Sequence, residues 1–115
     1  MSQIIEQLSE TLSERRDASP ETSYTASLLA GGLPKIRAKL EEELGELIEA
    51  AEAFDAESDS EALKDALVHE AADLWFHSMV LLVSHSVSPT LVLEALERRL
   101  GISGHDEKRA RSSAQ

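Results

Sequence analysis

Apolar residues recur every three to four positions along most of this chain, and no segment alternates apolar and polar residues as a half-buried strand would. Ile4, Ile5, Leu8 and Leu12 predict a helix over about residues 2–16. Pro20, inside DASPETS (17–23), breaks it. YTASLLAGG (24–32) predicts a short helical turn ended by Gly31 and Gly32, with Ser23 and Thr25 as candidate caps. Pro34 suits the first turn of the next helix, whose stripe is Ile36, Leu40, Leu44, Leu47, Ile48, Ala51 and Phe54. The polar DAESDS (55–60) offers Ser58, Asp59 or Ser60 as cap for a helix over about 61–86. Ser88 and Pro89 then fit the cap and first position of a last helix, about 89–100, ended by Gly101 and Gly104. Residues 105–115, HDEKRARSSAQ, are expected to form a loose tail.

Four main helices with short links predict an all-α helical bundle, a single domain over residues 1–115. Composition agrees: 42% of residues are hydrophobic but only 3% aromatic, so Leu, Ala, Val and Ile must fill the core. The absence of cysteine excludes disulfides and thiolate metal sites. MSQIIEQLSETLSERR has no basic start and no continuous apolar stretch, so no signal peptide is expected. No uninterrupted apolar run approaches the roughly 20 residues that span a bilayer. The expectation is a cytoplasmic protein with no membrane partner.

Charge sharpens the picture. A formal net charge of −11 argues against nucleic acid as a partner. Residues 41–73 hold thirteen Asp or Glu and one basic residue, Lys64, whereas Arg98, Arg99, Lys108, Arg109 and Arg111 gather at the end. Charge alone favours a solvated acidic surface with a basic tail, but such segregation also suits a site that pairs a metal with a phosphate ligand.

The acids have direction. At 100° per residue, Glu43 lies about 60° from Leu40, Glu46 about 120° and Glu42 about 160°, all on one side. Lys35 and Lys39 fall on that flank. Glu43 therefore borders the apolar face, and Glu42, Glu43 and Glu46 have the spacing to converge. Glu41, Glu49 and Glu52 point elsewhere. The 61–86 helix is apolar nearly all round and is expected to be mostly buried. Glu70 and Asp73 sit in its middle, and two buried unpaired carboxylates cost several kcal/mol each. Cations, basic partners or protonation must compensate; His69 and His77, each four residues from Asp73, are candidate hydrogen-bond partners. His85 and His105 are expected to face solvent. Antiparallel packing would set Glu42, Glu43 and Glu46 opposite Glu70 and Asp73. An all-oxygen ligand set suits Mg²⁺ or Mn²⁺; structural ion pairs are the alternative.

SYTASLLAGGLPKIRAKLEEELGE, HEAADLWFH and LGISGHDEKRAR together resemble the phosphoribosyl-ATP pyrophosphatase family of histidine biosynthesis, within the all-α nucleotide pyrophosphatases. The resemblance runs from about Ile4 to Arg111. It implies Mg²⁺-dependent hydrolysis of 1-(5-phosphoribosyl)-ATP to the AMP form and pyrophosphate, with Mn²⁺ as a possible substitute. It further implies metal ligation by Glu43, Glu46, Glu70 and Asp73, and assistance to water from Glu42. Lys35, Lys39, Lys108 and Arg111 correspond to basic substrate-binding positions. A homodimer is implied, its bundle completed by the partner. Two other readings share these features. One is a pyrophosphatase acting on ordinary dNTPs with the same metal site. The other is a helical interaction module whose acids meet a basic partner.

Overall fold

The computed structural model describes residues 2–20 and 23–101. These form α1 (Ser2–Arg16), α2 (Tyr24–Ala56), α3 (Glu61–Ser84) and α4 (Thr90–Gly101), with no strand among the described residues. The basic tail residues Lys108, Arg109 and Arg111, and His105, lie outside them.

Local chemistry explains the boundaries. The Ser23 hydroxyl accepts from the Ala26 N–H at the start of α2, and the Ser60 hydroxyl accepts from the Leu63 N–H at the start of α3. At α4 the Ser88 hydroxyl accepts from the Thr90 N–H. The end of α3 closes by two crossing bonds, Ser86 N–H to Val83 O and Val87 N–H to Leu82 O. Ser86 takes the left-handed conformation that closure needs, with φ 59°. Arg16 Nη1 donates to Val83 O and Ser86 Oγ, tying the end of α1 to that turn.

The expected break at Gly31–Gly32 is present as a kink inside α2. Gly32 has φ 72° and ψ −168°, a region essentially reserved for glycine. Helix resumes at once, with Pro34 in its first turn. The kink lets residues 24–31 lean toward α3 while 33–56 run beside it. Gly32→Ala is expected to cost about 1–3 kcal/mol of stability, read as a lowered denaturant midpoint with unchanged m-value.

The polar loop at 57–60 turns the chain so that α2 and α3 pair antiparallel, the most extensive packing in the fold. α1 lies against both, and α4 against α1. The core is Leu12, Leu28, Ile36, Met79, Val80 and Val83, flanked by Ile5, Leu8, Leu29, Leu40, Phe76 and Leu81. It occupies the half of the molecule where three helices meet. Toward the α2–α3 loop only two helices remain, so α3 is not mostly buried within one chain. Val68 is 61% exposed and Trp75 69%, and Leu44 and Ile48 of α2 are exposed beside that half. The periodicity of α3 is correctly all-round apolar, but α1 is too short to cover its first half. By length and composition α3 is apolar enough to cross a membrane, with mean hydropathy 1.3 over an 18-residue window. Glu70 and Asp73 in its middle suit packing against α2 better than contact with lipid.

Candidate functional site

The acids gather where the three-helix core gives way to the two-helix hairpin. α2 contributes Glu43 and Glu46, one turn apart, and α3 contributes Glu70 and Asp73 at the same spacing. Glu43, Glu46 and Glu70 each bring a carboxylate oxygen within 4.8 Å of the others. Glu70, Asp73 and His69 meet the same limit on the α3 side. Glu70 thus belongs to both groups. Glu43 and Asp73 are close enough to repel.

Burial is uneven and informative. Glu43 is only 5% exposed, since it lies at the margin of the apolar stripe as its angle from Leu40 requires. One of its oxygens, Oε2, is buried without a hydrogen-bond partner among the described residues, and so is Glu70 Oε2. Orphaned buried carboxylate oxygens cost free energy unless something outside the chain satisfies them. Among the described residues Lys39 pairs with this flank, its Nζ 3.6 Å from Glu43 Oε1 and 3.5 Å from Glu42 Oε2. One ammonium at those distances does not neutralise the group.

The electrostatics follow. Burial, then repulsion from Glu46 and Asp73, lifts the Glu43 carboxyl above its ordinary range; His77 and Lys39 oppose this. Glu46 is also lifted, by desolvation first and then by the neighbouring Glu70. For Lys39, burial pulls the ammonium down, but Tyr24, Glu42 and Glu43 outweigh it and the net shift is upward. Two carboxyl groups lifted by burial and acidic neighbours, and two unsatisfied oxygens, Glu43 Oε2 and Glu70 Oε2, make a set of hard oxygens that fits a divalent cation. His69 Nε2 reaches Asp73 Oδ2 at 3.4 Å.

The remaining candidates take distinct places. Glu42 is exposed and turned to Lys39 rather than into the tight cluster, though it still repels Glu46. Lys35 is exposed, its Nζ donating to Ser27 Oγ at 2.8 Å across the α2 kink. Lys108 and Arg111 lie outside the described residues. Glu41, Glu49 and Glu52 face solvent, Glu41 paired with Arg37. The i, i+4 spacing makes His77 a candidate partner of the Asp73 carboxylate. Instead His77 Nδ1 bonds the Asp73 backbone carbonyl at 2.7 Å, and Nε2 meets the Tyr24 hydroxyl at 3.1 Å. The link to Tyr24 crosses 53 residues of sequence, and no spacing rule reaches it.

Two acid pairs face each other across an antiparallel helical hairpin, beside lysines. Chemically, such an arrangement can hold a divalent cation, with ammonium groups near enough to meet an anion. The phosphoribosyl-ATP pyrophosphohydrolase family model matches residues 5–100, and the chain belongs to that family of hydrolases, which act on a phosphoanhydride bond in histidine biosynthesis.

Proposed function

We propose that this chain, as a single all-α domain, hydrolyses 1-(5-phosphoribosyl)-ATP to 1-(5-phosphoribosyl)-AMP and pyrophosphate with Mg²⁺, in the cytoplasm, as the second step of histidine biosynthesis. The family assignment supports the substrate. The observation that carries the metal is the pair of buried, partnerless oxygens, Glu43 Oε2 and Glu70 Oε2, in a cluster with Glu46. Glu43, Glu46, Glu70 and Asp73 would hold the ion; Mn²⁺, with similar oxygen preference, would substitute.

Bound there, a divalent cation offsets the charge of a triphosphate and polarises the linkage to be cut. The chain's own groups do the rest. Lys39 and Lys35, on the flank of α2, attract the phosphates that an acidic face alone would repel. Glu42, the most exposed acid of the group, accepts a hydrogen bond from the attacking water and orients it. Water's oxygen bonds to phosphorus as the phosphoanhydride breaks; one of its protons passes to the Glu42 carboxylate and on to solvent, and pyrophosphate leaves. Lys108 and Arg111 bind substrate from the C-terminal segment.

The chain is further proposed to act as a homodimer. Leu44, Ile48, Val68 and Trp75 are all exposed on the two-helix half, next to the acids, and an apolar face of this kind calls for a covering surface. A second copy completes the bundle there. Trp75→Glu is expected to convert a dimer to monomers, checked by light scattering. A wild-type chain that is monomeric at micromolar concentration would sink this part.

The reaction is tested by pyrophosphate release from phosphoribosyl-ATP, with and without Mg²⁺, beside a panel of dNTPs. Turnover that needs Mg²⁺ and prefers phosphoribosyl-ATP in kcat/KM supports the proposal. Preference for a dNTP replaces the substrate. No release from any of them leaves the acids to a binding role.

A further inference from the structure

One buried titratable side chain beside the acids has no part in the reaction as proposed. His77 is 5% exposed, between Phe76 and Tyr24, both of whose rings meet it edge-on. Its bonding fixes its proton. Nδ1 lies 2.7 Å from the Asp73 backbone oxygen, which can only accept, so Nδ1 carries the hydrogen. Nε2 lies 3.1 Å from the Tyr24 hydroxyl, which can donate to a bare nitrogen or accept from a protonated one, so the contact stands in either state of the ring. Tyr24 is the first residue of α2 and is 54% exposed. Its hydroxyl is therefore a strut from the start of α2 to the turn of α3 that carries Asp73.

The strut matters because of what else that segment holds. Residues 24–31 join the rest of α2 through Gly32, a kink with no side chain to stiffen it. Lys35 lies beyond the kink and reaches back to Ser27 Oγ at 2.8 Å. Its side chain crosses Gly31 so closely that a Cβ there would sit 2.9 Å from Lys35 Cβ. Tyr24 is also near Lys39. Lys35 thus takes its bearing partly from the 24–31 segment, and Lys39, paired with Glu42 and Glu43, lies close enough to Tyr24 to feel it.

We propose that Tyr24 and His77 are a positioning pair that holds the 24–31 segment against α3, and so fixes Lys35 and Lys39 at a set distance from the acid cluster. The pair acts on the binding of the substrate's phosphates, not on the binding of the divalent cation. The inference deepens the proposed reaction and rests on it for the identity of the ligand.

The test separates the two. Phosphoribosyl-ATP is titrated calorimetrically into the full chain with Ca²⁺ in place of Mg²⁺, and Ca²⁺ alone is titrated as control. Tyr24→Phe keeps the exposed ring and removes only the hydroxyl. It is expected to weaken nucleotide binding about tenfold, the order of one lost hydrogen bond, with Ca²⁺ affinity unchanged within about twofold. His77→Leu should match it, and the double variant should be no worse than either. His77→Gln, whose amide oxygen can accept from Tyr24, should bind within about threefold of wild type. Tyr24→Phe binding as wild type, or losses that multiply in the double variant, would overturn the pair. Wild-type chain that binds dNTPs but not phosphoribosyl-ATP overturns the substrate instead. The pair is then judged by ¹⁵N spectroscopy of His77, where a hydrogen on Nδ1 whose Nε2 signal shifts in Tyr24→Phe supports it, and an Nε2 signal unmoved by Tyr24→Phe refutes it.

Discussion

Glu46→Gln is expected to lower phosphoribosyl-ATP turnover roughly a thousandfold or more while leaving the helical fold intact, and Asp73→Asn to do the same. The size follows from what is removed. A cation that polarises a phosphoryl group stabilises the transition state by several kcal/mol, and each 1.36 kcal/mol is tenfold in rate. A neutral amide offers one weak oxygen where a carboxylate offered two charged ones. The fold should survive because Glu46 and Asp73 are only partly buried and neither belongs to the apolar core. Circular dichroism and a melting curve check the fold, and a coupled pyrophosphate assay checks the rate. Retained activity in either variant would refute the ligand assignment. Loss of activity with loss of Mg²⁺-induced stabilisation would tie the two together. The control is Glu49→Gln, on the solvent side of the same helix, which should turn over as wild type.

Much of this arrangement is legible in the chain. Ser60, Ser88 with Pro89, and the Gly31–Gly32 break each signal a boundary through local chemistry, and local chemistry is what a sequence carries. The angle of Glu43 from Leu40 likewise places it at the margin of the buried face, where it is found. Two features were not legible. The exposure of Val68 and Trp75 depends on how far α1 reaches, and periodicity reports only that a face is apolar, not what covers it. The Tyr24–His77 bond depends on the tilt of residues 24–31 after the Gly32 kink, which the dihedrals of one glycine decide. Glu42 lies between these cases: its spacing permits convergence with Glu43 and Glu46, but its rotation about the axis leaves it exposed with Lys39.

The second large effect is a reversal of the usual relation between acid and stability, visible when wild type is compared with Glu46→Gln. Glu43 and Glu46 both have carboxyl groups lifted above the ordinary value of 4.5, by burial first and by their acidic neighbours next. In the pH window above that value the folded chain still holds protons that the unfolded chain has released. Stability then falls as pH rises, the opposite of a carboxylate paired with a base. The cause is mutual repulsion among groups that the fold forces together, so a divalent cation should cancel it. Without metal, the melting temperature of wild type minus that of Glu46→Gln is expected near zero at about pH 4.5 and negative at about pH 7.5, because the amide relieves the repulsion. With Mg²⁺ at about ten times its dissociation constant, wild type gains about 1.4 kcal/mol by mass action, roughly 5–10 °C, and the difference turns positive. Calorimetry at both pH values, with and without Mg²⁺, measures all four terms. A metal-free difference that grows more positive with pH would mean that these carboxylates are stabilised by partners within the chain, and the argument that they are assembled to hold a cation would fail with it.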